Sequence, residues 1–271
     1  MKKASGWMIP VLVAVGLLTA CAPSEVSADE YDRSLPELKI GSDLYAPYFY
    51  VGEDGNYTGV DREIASEACR RLGYRPVFIE IVWGEQDHLL QSGEIDCIWC
   101  SFSMNGREDL YNWAGPYLYS PEVVVVPADS PIQSLEDLSG KTVAVQVDSK
   151  AEEYFLKQFD SSGESVRRVS TYSRLNDAFV AFGKGYADAV AGHEMALRRY
   201  TTENPELYRY LDIPILMARL GVAFDKKNDS QLIENLTQTL RQMNEDGTIP
   251  QIAQKYGLDA EWTLGVKGHE R

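Results

Sequence analysis

His193 and Glu194 form the one obvious acid–base pair in the sequence, because histidine occurs elsewhere only at His88 and His269. An imidazole beside a carboxylate suits proton transfer in a cleft. Cys97-Ile98-Trp99-Cys100 is formally a CxxC, the spacing of redox and metal-binding thiols. It lies in a strand-like run, however, where residues three apart face opposite sides of a sheet, so two small buried hydrophobes are expected there instead. Ser149-Lys150-Ala151-Glu152 fits a capping box, and the helix it opens presents backbone N–H groups that suit an anion. The sequence has no Ser-His-Asp arrangement, P-loop, GxGxxG or metal-ligand spacing, so neither cofactor nor metal is expected.

The N-terminus reads as a targeting signal. Basic Lys2 and Lys3 precede an apolar run from Trp7 to Leu18 that is too short for an ordinary spanning helix. Leu18-Thr19-Ala20-Cys21 resembles a bacterial lipobox, which makes Cys21 the expected lipidated first residue after removal of 1–20. The following residues, 21–35, are polar and acidic and are expected to form a flexible tether. Formal charge is −15; without Lys2 and Lys3 it becomes 24 basic against 41 acidic residues, or −17. That sign argues against nucleic acid and against binding to anionic lipid surfaces. With Cys21 committed to lipid, Cys69, Cys97 and Cys100 allow at most one internal disulfide, and a Cys69–Cys97 bridge is left open.

The elements that must position these residues alternate between strand and helix. Leu38–Ile40 is strand-like; Val60, Ile64, Ala65, Ala68, Cys69 and Leu72 recur at helical spacing, with Gly73 as the stop. Pro76–Val82 and Ile95–Trp99 read as strands, with a short helix from Glu85 to Ser92 between them. The pattern recurs with strands at Val123–Val126, Thr142–Val147 and Ala187–Ala191. Helices are expected from Ser149 to Phe159, Ser173 to Lys184 and His193 to Thr202. A strand at Leu220–Phe224 and a helix aligning Leu232, Leu236, Leu240 and Met243 form a tail. This order predicts an α/β protein with a largely parallel sheet. Two lobes are expected, 36–126 plus 220–271 and 127–219, with two chain crossings acting as a hinge.

Several segments, in order, resemble the family 3 bacterial extracellular solute-binding proteins, the amino-acid-type receptors of ABC importers. They are Gly41-Ser42-Asp43-Leu44-Tyr45-Ala46-Pro47-Tyr48, Thr58-Gly59-Val60-Asp61, Trp83 with Leu90-Gln91-Ser92-Gly93-Glu94-Ile95-Asp96, and Arg107 with Trp113-Ala114-Gly115-Pro116-Tyr117. Asp137 to Val145 and Glu245-Asp246-Gly247-Thr248 complete the series. The resemblance implies a two-lobed, type II periplasmic-binding-protein-like fold. It also implies a small amino-acid-like ligand, an ABC permease as partner, a monomer, and an extracytoplasmic location with a lipid anchor at Cys21. It places Arg107 where the family holds the ligand carboxylate, a task suited to a planar two-pronged donor. Ser101 and Ser103 best match the small residues beside that carboxylate, although the Ser103–Arg107 stretch is one residue shorter than usual. Ser149 matches the hydroxyl residue of the second lobe, with Asp148 in place of the family's Gly. Tyr45 resembles the aromatic that covers the ligand and Trp83 a second wall; Asp43 and Lys150 are their neighbours in the same segments.

One departure follows Asp188. Counting from Ala187-Asp188-Ala189-Val190, the family's ammonium-binding Asp falls at His193, and Glu194 comes next. Either Glu194 or a neutral His193 holds an ammonium group, or the ligand lacks one. The resemblance also extends to periplasmic dehydratases, for which His193 and Glu194 would be the acid–base pair, and a ligand-sensing module would use the same pocket.

Overall fold

The computed structural model describes residues 34–159, 166–228 and 230–258. The expected signal segment, Cys21, all of the tether but its last two residues, and His269 lie outside the described residues. The first half contains β1 (Glu37–Ser42), a small hairpin of β2 (Tyr50–Val51) and β3 (Tyr57–Thr58), and α1 (Val60–Leu72). It continues through β4 (Arg75–Glu80), α2 (Gln86–Ser92) and β5 (Cys97–Ile98). β1 lies between β4 and β5 and pairs parallel with both. Helix α1 has the expected apolar face, burying Val60, Ile64, Ala65, Ala68 and Cys69, and ends at left-handed Gly73. The Gly73 and Tyr74 N–H groups bond back to the carbonyls of Arg70 and Cys69, which satisfies the last turn.

The N-terminus of α1 meets the turn after β1 at unusually close range. The backbone N–H groups of Val60 and Asp61 donate to the carbonyls of Pro47 and Tyr48 at 3.0 and 2.9 Å. Gly59 precedes them at φ 122°, ψ 169°, a region essentially confined to glycine. A Cβ there would lie 2.2 Å from the Tyr48 carbonyl oxygen.

The remainder opens with β6 (Asn112–Pro127), a long strand, then a 3₁₀ turn at Glu136–Leu138. β7 (Thr142–Gln146), α3 (Lys150–Phe159), β8 (Arg168–Tyr172), α4 (Leu175–Gly183) and β9 (Ala189–His193) follow. After α5 (Glu194–Glu203) and β10 (Tyr208–Tyr210), the chain returns along β11 (Leu216–Phe224) and finishes with α6 (Gln231–Glu245) and α7 (Thr248–Lys255). Apart from the separate β2–β3 hairpin, the strands join in one curled nine-stranded sheet, ordered β4-β1-β5-β11-β6-β9-β7-β8, with β10 alongside β6.

The sheet is parallel only at its two flanks, where β1 joins β4 and β5, and β7 joins β8 and β9. Between the flanks runs an antiparallel ribbon of β6 and β11, paired from Asn112–Phe224 to Glu122–Leu216 with a bulge between Leu220 and Val222. The largely parallel sheet expected from the sequence therefore holds for the flanks and fails at the centre. The sequence showed Val123–Val126 as a strand, but β6 extends back through Gly115 and Pro116. One apolar core passes beneath both flanks and the ribbon, taking in Ile40, Trp99, Leu118, Val125, Val190 and Leu240. No helix among the described residues is long and apolar enough to cross a membrane.

Candidate functional site

The carboxyl ends of β1, β4, β5, β7 and β9 meet around one narrow cavity of about 30 Å³, at the usual ligand position in open α/β sheets. Asp43 and Tyr45 come from the segment after β1, Trp83 from that after β4, and Ser101, Ser103 and Arg107 from that after β5. The opposite wall brings Gln146, Asp148, Ser149 and Lys150 from the end of β7 and the start of α3, with His193 from the end of β9. Every proposed ligand contact except Glu194 lines this cavity.

Arg107 spans the gap between the two walls. One Nη donates to the Ser103 carbonyl at 3.2 Å, and the other crosses to the Asp148 carbonyl at 2.6 Å. Its guanidinium lies 4.9 Å from the centre of the Phe102 ring, against which Trp83 packs edge-on, a cation–π contact that fixes its plane. Burial lowers the Arg107 pKa from its ordinary value, with nearby Glu153 opposing the change.

Asp61 holds the serine loop in place. Its buried carboxylate accepts the Ser101 N–H at 2.5 Å and the Tyr117 hydroxyl at 2.9 Å. Ser101 is in turn held at φ 49°, a left-handed conformation, which costs a side-chain-bearing residue about 1–2 kcal/mol. Across the cavity, Ser149 Oγ accepts the Glu152 N–H at 3.1 Å, as a capping box requires. Glu152 reaches back to the Asp148 N–H at 2.6 Å, one residue earlier than in the simple form of that motif. Asp148 occupies φ 53°, so the residue replacing the family's Gly keeps the backbone shape that glycine would supply. Lys150 is buried and ion-paired with Glu153.

Two carboxylates face this cavity with little access to water. Asp43, 4% exposed, accepts a hydrogen bond from Gln146 Nε2 of the opposite wall at 2.7 Å. Burial raises its pKa to about 6, and burial likewise raises that of Asp61 to about 7. Glu122, 2% exposed, is with Gln146 a cavity residue that sequence reasoning missed. It lies in β6 opposite His193 of β9, and Glu122 Oε1 is 3.3 Å from His193 Nε2.

Glu194 is placed elsewhere. It begins α5, lines a separate cavity with Met195, Arg198 and Tyr210, and sits 3.8 Å from Arg198 Nε. One step along the chain from His193 turns its side chain away, so the expected His193–Glu194 pair does not form in the cleft. Cys69, Cys97 and Cys100 are free, buried thiols, which closes the question of a Cys69–Cys97 bridge. Burial pushes the Cys69 thiol up to about 12, which leaves it inert as a nucleophile.

The raised carboxylates make a signed prediction for the empty protein. Between the unfolded value near 3.8 and the folded values near 6 and 7, the folded state binds more protons than the unfolded one. Stability therefore rises as pH falls through this window. The empty protein is expected to be on the order of 1–3 kcal/mol more stable at pH 5.5 than at pH 7.5. Denaturant melts at the two pH values check this; equal midpoints, or a Asp43→Asn/Asp61→Asn double variant with an unchanged difference, would refute it.

Comparison with known proteins agrees with this geometry. Residues 38–259 match the model of the bacterial extracellular solute-binding proteins, family 3. The chain is similar to the arginine-binding extracellular protein ArtP of Bacillus subtilis (strain 168), 26% identical, with 94% of this chain and 98% of that protein covered. It is also similar to the lysine/arginine/ornithine-binding periplasmic protein of Escherichia coli (strain K12), 27% identical over 94% of this chain and 97% of that one. The crystal structure of Tv2483 bound to L-arginine superposes with a TM-score of 0.76 at 28% identity, covering 84% of this chain and 93% of that chain. These relatives are binding proteins, and their fold is the two-lobed type II form. A sheet of two parallel flanks on an antiparallel ribbon, a polar cavity between their carboxyl ends and a family match over most of the chain lead to one assignment: this protein belongs to the bacterial extracellular solute-binding proteins, family 3.

Proposed function

We propose that the cleft captures one amino acid with a positively charged side chain and delivers it to an ABC permease, without chemical change. The observation that carries this reading is the Arg107 guanidinium, fixed on the cavity wall between Ser103 and Asp148. In this reading it receives the ligand carboxylate together with the Ser101, Ser103 and Ser149 segments. Tyr45 and Trp83 wall the ligand, and Asp43 faces its cationic end. Asp43 and the ligands named for the two relatives, arginine and lysine/arginine/ornithine, support the charge preference.

The lobes in this proposal are 36–126 plus 220–271 and 127–219, hinged on β6 and β11. Contacts that hold the two flanks together already include Gln146–Asp43 and Arg174–Glu80, the latter at 3.0 Å. The protein works as a monomer, anchored outside the cytoplasm through lipid on Cys21. Replacing Cys21 with Ala is expected to move it from the membrane fraction to the soluble one; an unchanged membrane fraction would refute the anchor.

A thermal-shift screen against the common amino acids tests the binding reading. Ligand at about 100 times its Kd stabilises the folded state by about 2.7 kcal/mol, so L-arginine or L-lysine should raise the melting temperature by several degrees. A screen in which no amino acid moves the transition would overturn the proposal.

A further inference from the structure

We propose that Glu122, held in place by His193, is the carboxylate that receives the ligand's α-ammonium group, an assignment that rests on the amino-acid reading above. Neither position that the sequence offered for this task supplies the charge. Glu194 faces another cavity, and His193 is occupied at both ring nitrogens.

The hydrogen bonds around His193 have a direction. Tyr48 O–H donates to Ser120 Oγ at 3.0 Å, which leaves the Ser120 hydrogen for His193 Nδ1, 3.1 Å away. With Nδ1 accepting, the ring carries a proton on Nε2, and that nitrogen lies 3.3 Å from Glu122 Oε1. Tyr48, Ser120, His193 and Glu122 are all at most 7% exposed, so the chain is shielded from water. Its effect is to fix a carboxylate whose second oxygen, Glu122 Oε2, is buried without a hydrogen-bond partner among the described residues.

A buried carboxylate oxygen without a donor is costly, and one on a cavity wall is satisfied most simply by a cationic donor that enters the cavity. The protein's own cations in the cavity are engaged: Lys150 pairs with Glu153, and Arg107 donates to two backbone carbonyls. Arg107 and Glu122 thus give the cavity one group for each charge of a zwitterion. The family's carboxylate has in effect moved across the sheet, from the end of β9 to the facing position in β6.

The test compares L-arginine with 5-guanidinopentanoic acid, its analogue without the α-amino group, by calorimetric titration. L-lysine with 6-aminohexanoic acid is the second pair. Wild-type protein should prefer each amino acid over its analogue by about 30-fold to several-thousand-fold, as for a desolvated charge pair. In Glu122→Gln, which keeps the shape and a partner for His193, that preference should collapse to within a few-fold. A preference that survives unchanged in Glu122→Gln overturns the assignment, as does a wild type that binds amino acid and analogue equally. A crystal structure of the wild-type complex with the ammonium nitrogen beyond about 4 Å from Glu122 does so whether or not the variant folds. Binding of neither amino acid nor analogue would instead refute the amino-acid reading beneath it.

Discussion

Arg107→Ala is expected to weaken binding of carboxylate ligands by about 2–5 kcal/mol, because it leaves a buried anionic group without its donor. The side chain touches backbone carbonyls of both cavity walls and stacks on Phe102, so its loss also removes a bridge between them. Arg107→Lys should recover only part of the affinity: an ammonium is a point donor and cannot supply two parallel bonds in the plane that Phe102 sets. Titration calorimetry with the best ligand from the screen measures the loss, and a melt of the unliganded variant separates it from unfolding. An Arg107→Ala protein that melts normally and binds within threefold of wild type would remove the anchor from the proposal.

A single methyl group at Gly59 is expected to do comparable damage to the fold. Gly59→Ala puts a Cβ 2.2 Å from the Tyr48 carbonyl oxygen and 2.8 Å from that of Pro47, both backbone atoms without the freedom of a side-chain tip. It must also hold φ near 122°, where a side chain adds about 1–3 kcal/mol of strain. Backbone displacement adds a similar amount, so a loss of about 3–5 kcal/mol is expected, at the upper end for point substitutions. The turn it pushes on carries Tyr45, hence affinity should fall with stability. Denaturant titration of the variant decides this; a midpoint shift worth less than about 1 kcal/mol would show that the turn yields easily.

Most of the cavity was legible because its residues sit in short segments whose order and type follow the family. The limits of α1 were legible for a plainer reason: its apolar spacing begins at Val60 and its stop is a glycine that takes the left-handed conformation. What escaped notice had no such local mark. β8 and β10 are only partly buried and carry Arg168 and Arg209, so no apolar alternation announces them. β6 is interrupted by Gly115, Pro116 and Pro121, residues that ordinarily break strands, and its length follows from pairing with β11 more than a hundred residues away. Glu122 follows one of those prolines and is one of 41 acidic residues in the chain. Only its burial against His193 distinguishes it, and burial belongs to the tertiary fold. Glu194 misled because adjacency in sequence says nothing about which side of a strand-to-helix junction a side chain leaves from.

The ribbon of β6 and β11 joins both flanks through a hydrogen-bonded ladder with one bulge between Leu220 and Val222, and one apolar core runs under all of it. Neither half could therefore be cut out as an autonomous folding unit, since either cut exposes a raw strand edge and part of that shared core. Heating should accordingly yield one calorimetric peak instead of two, and any movement of one flank against the other has to be taken up as twist along the ribbon.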